Sequence, residues 1–338
     1  MIKLYSKEMQ YIKSFSPIGL RVTQELETGY KTAQFHSPYS FGVVLEEQKV
    51  EIDGYLYVIK EVNIEDKDYY EIFCKPYFGS LQKKRIDNYT GYGVTFDDAM
   101  SYLLSETDWT YEGTNIVGSY TIDITNKTLL EALKYISSIY NVYFEYKTKE
   151  RVIAATDKNL ETGISATYTI TAANLSNCVI QSNTYDLVTR LIPIGKNLTT
   201  IQLVNNNCLW LEDFSYTKEV IVGYFFQSSI DNADDLRKAA FSKLQLLCRP
   251  RETYKIPLSQ FSKKITIGDS IRIINTLKAS QGVLKVQKVV LFPYEQELSY
   301  IELGNPQVSF DDIYKDFTSV QAMINQSNLK SLAELNKL

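Results

Sequence analysis

The amino-acid sequence predicts a β-rich α+β protein with more than one domain. The chain has 338 residues, which at about 100–200 residues per domain corresponds to two or three domains. It contains 26 tyrosines, and tyrosine favours strands and half-buried sheet faces. Strand-type segments dominate residues 1–94, whereas helix-type segments are few and are separated by strands.

Two tight turns mark the predicted strand pairs. Alternating apolar segments flank Asp53-Gly54, and an Asp-Gly pair in this setting is a strong signal for a β-hairpin. Nearer the other end of the chain, Gly268-Asp269 interrupts a second strand-rich segment, residues 265–274. We therefore expect a strand on each side of both turns.

Capping residues predict two helices between these strand-rich segments. Thr95 and Asp98 have the spacing of a capping box, as do Thr128 and Glu131, and apolar residues at helical spacing follow each pair. Strands are predicted between and after these helices. Residues 95–182 are therefore expected to form an inserted α+β domain.

Two further helices are predicted closer to the C-terminus. The first runs from about Ala233 to Cys248 and ends before Pro250. The second is expected over residues 307–338, where apolar residues at spacings of 3 and 4 form a heptad seam. This seam, which we expect to be an oligomer interface, consists of Phe310, Ile313, Phe317, Val320 and Ile324. The alternative interpretation is an amphipathic tail packed on its own domain.

The composition removes several classes of function. Lys and Arg total 36 against 40 Asp and Glu, so the net charge of −4 disfavours a protein that holds nucleic acid by phosphate neutralisation. Histidine occurs once, at His36, which excludes a two-histidine metal site within one chain. The four cysteines form no CxxC pair and are expected to be reduced thiols. We expect no cofactor and no metal site.

No segment predicts export or membrane insertion. The first residues lack the apolar core of a signal peptide, and no stretch of about 18 consecutive apolar residues occurs. The chain is therefore expected to be made in the cytoplasm and to have no membrane span.

Neither the acidic nor the basic clusters indicate an active site. Adjacent carboxylates occur at Glu46-Glu47, Asp97-Asp98, Asp234-Asp235 and Asp311-Asp312. Three of these pairs open predicted helices, where acidic side chains interact favourably with the helix dipole. The basic run Lys83-Lys84-Arg85 is interpreted as a solvated loop.

A segment after the inserted domain resembles a known family. Residues 186–197 read DLVTRLIPIGKN, similar to the D-x-V-T-R-L-x-P-x-G-K segment of phage tail-tip proteins of the prophage endopeptidase tail family, also called tail-associated lysin N-terminal regions. Other motifs follow the order of that family: Met1–Tyr5, the hairpin strand Tyr55–Val62, and Ile267–Ile273 followed by Tyr300–Asn305. The resemblance covers about residues 1–306.

The resemblance implies a baseplate hub like that of contractile phages. Such hubs are trimeric, and two small antiparallel β-barrels in each chain produce a six-barrel ring that matches a six-fold tail tube to a three-fold tip. The implied barrels are residues 1–94 with about 183–222, and residues 223–306; the α+β domain at 95–182 and the C-terminal helix at 307–338 complete the chain. The implied partners are further copies of the chain as a homotrimer, the distal tail collar protein, the tail tube protein and the tape measure protein, with genomic DNA only in transit.

Two other functions stay open at this point. Many relatives continue into a peptidoglycan hydrolase, so a cell-wall hydrolase of the tail tip, an endopeptidase or muramidase, is one alternative. A host-glycan receptor-binding module is the other, and it rests on aromatic content alone. The single histidine and the lack of a convergent motif argue against the hydrolase. The expected function is therefore that of a structural, non-enzymatic protein at the tail tip of a virion.

Overall fold

The computed structural model describes residues 1–64, 68–113, 116–157, 163–227, 230–277 and 280–304. Within these ranges the protein is rich in β-strand and has three α-helices, so the β-rich α+β class is confirmed. The described chain divides into two compact units: unit 1 holds residues 1–179 and 254–304, and unit 2 holds residues 180–253. The domain boundaries that the sequence predicts stay a prediction.

The predicted C-terminal helix, residues 307–338, lies outside the described residues. The same holds for all five residues of its seam, Phe310, Ile313, Phe317, Val320 and Ile324.

The strands and helices of unit 1 come from both ends of the described chain. Its first strands are β1 (Ile2–Tyr5), β2 (Tyr11–Phe15), β3 (Ile18–Glu25), β4 (Lys31–Pro38), β5 (Lys49–Ile52), β6 (Tyr55–Ile64), β7 (Tyr69–Pro76) and β8 (Arg85–Thr95). They are followed by α1 (Phe96–Leu104), β9 (Thr110–Gly113), β10 (Ser119–Thr128), α2 (Leu129–Ile139), β11 (Val142–Lys147), β12 (Val152–Asp157) and β13 (Ile164–Ile170).

The remaining elements belong to unit 2 or to the C-terminal part of unit 1. The chain passes between the units within two strands, β14 (Val179–Asn183) and β18 (Arg251–Pro257). Unit 2 contains β15 (Arg190–Gly195), β16 (Leu211–Glu212), β17 (Val222–Gln227) and α3 (Ala233–Leu247). Unit 1 ends with β19 (Ser270–Asn275), β20 (Ser280–Leu291) and β21 (Tyr300–Gly304).

The local signals for helices and turns are largely confirmed. Thr95 and Thr128 cap α1 and α2 through capping boxes with Asp98 and Glu131. The hairpin turn at Asp53-Gly54 joins β5 to β6, and both turn residues have positive φ, as a tight hairpin requires. The turn at Gly268-Asp269 leads into β19, but residues 265–267 before it form no strand.

Two separate closed barrels, which the family resemblance implies, are not confirmed. The main sheet of unit 1 has the strand order β18-β21-β20-β3-β4-β7-β6-β5-β1-β2, and β19 pairs with β20 and β13. Closure of a barrel from the N-terminal strands requires β2 to pair with β3. Instead β3 pairs with β20, where Val22 lies opposite Leu291. The sheet among the described residues is therefore open, and strands from both ends of the chain share it.

The inserted α+β part of unit 1 has its own core. Helices α1 and α2 pack with β8, β10, β11 and β12, and fully buried residues from both helices, including Met100, Leu103, Leu129 and Ile136, fill the space between them. A second core, from β1 to β7, lies on the main sheet and includes the fully buried Phe35. The inserted part and the main sheet therefore each have a hydrophobic core of their own.

An aromatic cluster joins the inserted part to the main sheet. The ring of Tyr30, at the end of the β3–β4 turn, lies 5.3 Å from Phe78 and 5.6 Å from Tyr146 between ring centroids. Trp109 packs beside Phe78, and its indole N–H donates to the Phe78 carbonyl oxygen at 3.1 Å. Gly29, just before Tyr30, contacts the backbone of β11. Such edge-to-face ring pairs stabilise a contact beyond the area they bury.

A carboxylate ties the same two parts together. Glu51 on β5 is only 12% exposed and accepts hydrogen bonds from Lys149 at 2.8 Å, Tyr5 at 2.9 Å and Lys3 at 3.2 Å. The hydrogen bond from Lys149, with smaller contributions from Tyr5 and Lys3, lowers the pKa of Glu51 from 4.5 to about 2. The charged form of Glu51 is therefore the one that the fold stabilises.

This shift predicts a pH-dependent contribution to stability. Because the pKa is lower in the folded chain, the contribution is complete above pH 4.5 and is lost as the pH falls towards 2. We expect Glu51→Gln to lower the free energy of unfolding at pH 7 by about 1–2 kcal/mol, since both lysines are half exposed and solvent screens the pair. Urea unfolding from pH 7 to pH 2.5 should show the variant and the parent converging. Glu47→Gln, which removes the exposed Lys60 pair, is the control with little effect.

Candidate assembly interface

The motif at residues 186–197 builds the small sheet of unit 2. Strand β15 lies in the middle, antiparallel to β16 and parallel to β17. In the parallel pair, Leu191 aligns with Gly223 and Ile192 with Tyr224. Because side chains alternate along a strand, the sheet has two faces with different residues.

Helix α3 covers one face of this sheet. Leu191 is buried against Ala240 and Leu244 of the helix and against Cys248 at its end, and Phe225 packs on the same cluster. Asn232 caps the helix by accepting hydrogen bonds from the Asp234 and Asp235 amides. This layer forms the compact core of unit 2.

Two buried polar contacts fix the segment that leads into β15. The Asp186 carboxylate lies 3.2 Å from the Arg251 guanidinium, and the two side chains are 12% and 10% exposed. The Thr189 hydroxyl donates to the Glu219 carbonyl at 2.7 Å and accepts from the Ile221 amide at 2.8 Å. The Asp and Thr of the motif therefore fix the segments that flank the sheet.

The glycine of the motif sits where no side chain fits. A β-carbon on Gly195 would lie 2.5 Å from the carbonyl oxygen of Ile230. The next residue, Lys196, donates its amide hydrogen to that same carbonyl at 2.7 Å. The chain between β17 and α3 thus passes directly over the end of β15, and this close approach explains why the motif has glycine there.

The other face of the sheet is apolar and only partly covered by the described residues, since two of its five side chains are exposed and three are half-buried. We call it the open face; it consists of Ile192, Ile194, Val222, Tyr224 and Phe226. Val222 is 49% and Tyr224 59% exposed, and the rings of Tyr224 and Phe226 stack at 6.0 Å. Parallel strands are normally covered on both faces, so an exposed apolar face on a parallel pair indicates a surface that binds another element.

The edge of the open face carries charges that neutralise each other. The Arg190 Nε lies 2.6 Å from the Glu212 carboxylate on β16, and its guanidinium lies over the Trp210 ring at 4.8 Å. The surface therefore offers apolar and aromatic contacts, and this ion pair adds no net charge to it. Such a surface suits another apolar protein segment better than nucleic acid or an ionic ligand.

The acidic and basic clusters of the sequence have structural roles. Asp97 and Asp98 lie in the first turn of α1, and Asp234 and Asp235 in the first turn of α3. Asp311-Asp312 lies outside the described residues. The solvated-loop interpretation is wrong for Lys84, which donates to the carbonyl oxygens of Tyr102 and Ser105 at the end of α1.

Among the described residues, no group of three or more His, Cys, Asp or Glu side chains could hold a metal ion.

The single histidine and the cysteines have structural surroundings. His36 lies on β4, opposite Ile18 of β3 and Glu71 of β7. All four cysteines are free, and burial raises the pKa of the Cys178 and Cys248 thiols. No helix in the described ranges has the length and apolar character to cross a membrane.

The comparisons with known proteins point to one class. Residues 165–314 match the family model of the prophage endopeptidase tail. The prophage tail protein gp18 from Listeria monocytogenes EGD-e has a similar structure, with a TM-score of 0.68, 14% sequence identity, and coverage of 95% of this chain and 99% of that one. The tail protein from Neisseria meningitidis MC58 gives 0.62, 12%, 92% and 98%, and the 43 kDa tail protein of prophage MuSo2 from Shewanella oneidensis gives 0.62, 12%, 90% and 97%. No curated protein sequence matches the chain.

The chain therefore has the fold of prophage tail proteins. The resemblance to the prophage endopeptidase tail family is confirmed, since the matched residues include the motif at 186–197.

The sequence predicts no surface at the open face, although two of its five residues belong to the motif at 186–197. Ile192 and Ile194 lie within the motif that carries the resemblance, and Val222, Tyr224 and Phe226 lie outside it. Their alternation with other residues over 222–226 is the signal that could have found them. The parallel pairing of β17 with β15, which puts both sets on one face, has no signature in either segment alone.

Proposed function

We propose that the chain is a structural baseplate-hub protein at the tip of a phage, prophage or phage-derived tail. Three copies form a ring that closes the end of the tail tube and joins it to the distal tip components. The observation that carries this proposal is the similarity to a Listeria prophage tail protein over nearly the whole of both chains. The open apolar face in unit 2 supports a role in assembly.

The proposed partners are other tail components. The ring contacts the tail tube protein and the distal tail collar protein, and the tape measure protein ends at it. Genomic DNA crosses the ring only in transit. The net charge of −4 suits this passage, because a basic conduit would retain the phosphate backbone.

We propose further that this chain does not hydrolyse the cell wall. The described acidic pairs at Asp97-Asp98 and Asp234-Asp235 are occupied in helix capping and helix first turns. The glycan-binding alternative is not adopted, since many of the aromatic residues are core or cluster residues such as Phe78 and Tyr146.

The oligomer is tested with the purified chain. Light scattering coupled to size exclusion should give a mass of three copies of the 38.8 kDa chain, and end-on electron micrographs should show three-fold rings. A monomer at tens of micromolar would contradict a ring that assembles by itself.

The same preparation should release no dye from labelled Gram-positive cell walls. Lysis that disappears when His36 or a single carboxylate is changed to alanine would overturn the structural, non-enzymatic assignment.

A further inference from the structure

Strand β17 lies at one end of the small sheet of unit 2. The strand order is β16-β15-β17, so among the described residues β17 pairs with β15 alone and its other edge is free. A free edge presents backbone N–H and C=O groups with which a further strand can pair. We propose that this edge binds an extended, uncharged segment of another protein, which joins the sheet as a fourth strand.

The two edges of this sheet differ in their protection against such pairing. Strand β16 consists of Leu211 and Glu212 only, and the Glu212 carboxylate accepts a hydrogen bond from Arg190. Short strands and charged side chains are features that keep a sheet edge from pairing with other chains. Strand β17 reads VGYFFQ, contains no proline and no charged residue, and aligns with β15 over six residue pairs without a bulge. It is therefore a long, regular and unprotected edge.

The side chains beside this edge determine which segment fits. Val222 and Tyr224 are 49% and 59% exposed on the open face, and the Tyr224 ring stacks on Phe226. Side chains of an added strand alternate between the two faces, so every second one would lie beside these three residues. Aromatic and β-branched side chains stabilise each other across neighbouring strands. The bound segment therefore has such residues at every second position.

The charges of the sheet limit the segment further. Strand β17 has none, and Arg190 and Glu212 neutralise each other. A charged side chain in the middle of the added strand would lose hydration without gaining a counter-charge, so the central residues are uncharged. Six residues span about 20 Å at 3.3 Å per residue, which sets the length. That the donor is another tail component rests on the proposed function, whereas the free edge and its chemistry do not.

A capped, fluorescein-labelled peptide serves as the probe. It has two lysines at each end and the uncharged sequence VTYTVT between them. Two versions carry N-methyl groups on alternate central amides, so that each keeps one edge for pairing and cannot form fibrils. At least one version should bind the full chain, measured by fluorescence anisotropy. A third version, methylated at every central amide, has the same side chains and should not bind. Equal binding by this version would show adsorption on the open face and overturn strand addition, as would absence of binding by all versions.

A matched pair of variants locates the site. Tyr224→Lys places a charge beside the edge and should weaken binding of the probe by at least about tenfold. Tyr216→Lys changes a tyrosine of similar exposure, 54%, that belongs to unit 2 but lies outside the strands, and should leave binding unchanged. Equal weakening by the two variants would overturn the assignment of the site to β17.

Amide hydrogen exchange of the full chain identifies the occupant. Without the probe, the amides on the free edge of β17 should exchange rapidly, and the probe should slow them by at least about tenfold. Protection without the probe at every protein concentration would show that another segment of the same chain occupies the edge. Protection that rises with protein concentration would show a second copy there, and either result overturns the proposal. The mass from light scattering is recorded separately, so failure of the ring is distinguished from failure of strand addition.

Discussion

Gly29→Ala is expected to lower the free energy of unfolding of unit 1 by about 2–5 kcal/mol. The residue has φ of +68°, and a β-carbon there would lie 1.9 Å from the carbonyl oxygen of Phe144 in β11. A backbone atom cannot rotate away as a long side chain can, so the β3–β4 turn and β11 must separate. The rings of Tyr30 and Tyr146, which pack against each other at 5.6 Å beside this contact, would lose their packing as well.

Gly54→Ala is the matched control for this prediction. Gly54 also has positive φ, +76°, but nothing lies within 4 Å of its β-carbon position. Its replacement should therefore cost only the backbone strain, about 1 kcal/mol. Urea unfolding followed by tryptophan fluorescence measures both variants, since Trp109 lies in the affected aromatic cluster. If both variants lowered the free energy of unfolding by the same amount, the clash with the Phe144 carbonyl would contribute nothing beyond the backbone strain.

Asp186→Ala should have an effect of similar size in unit 2. The substitution removes the Asp186 carboxylate from its contact with the guanidinium of Arg251, whose side chain is 10% exposed. Removing one member of a buried ion pair typically costs about 3–5 kcal/mol, because the remaining charge keeps its desolvation cost. The expected result is a lower urea midpoint, measured through Trp210 at the edge of the open face.

Two comparisons sharpen this second prediction. Lys238→Ala removes an exposed pair with Asp235 on α3, whose side chains are 74% and 63% exposed, and should change stability by less than about 0.5 kcal/mol. The double variant Asp186→Ala with Arg251→Met should recover part of the loss, because it also removes the buried guanidinium and its desolvation cost. An Asp186→Ala variant as stable as Lys238→Ala would refute the role given to the buried pair.

The features that the sequence predicts well are those that depend on a few residues close together in the chain. Thr128 and Glu131 are three positions apart, and their capping box forms as expected at the start of α2. The Asp53-Gly54 turn is equally local, since its two residues alone adopt the backbone that a tight hairpin needs. Such signals need no knowledge of the distant chain.

The features that the sequence does not predict depend on distant partners. Nothing in residues 18–25 indicates that β3 pairs with β20, and this pairing replaces the closed barrel that the resemblance implies. The glycine of the 186–197 motif was recognised only as part of a pattern. Its physical cause, the carbonyl of Ile230, comes from another segment of the chain. The open face likewise exists only because β17 returns parallel to β15.

The pairing of β3 with β20 also determines how late in synthesis the main sheet can be completed. One edge of β3 has no partner until Leu291 and its neighbours have been synthesised, roughly 15–50 s after Val22 at typical elongation rates of about 5–20 residues per second. During that time the nascent chain presents an unpaired strand edge to other nascent chains and to chaperones. Synthesis of β20, rather than local folding, therefore sets the earliest moment at which both edges of β3 can be paired.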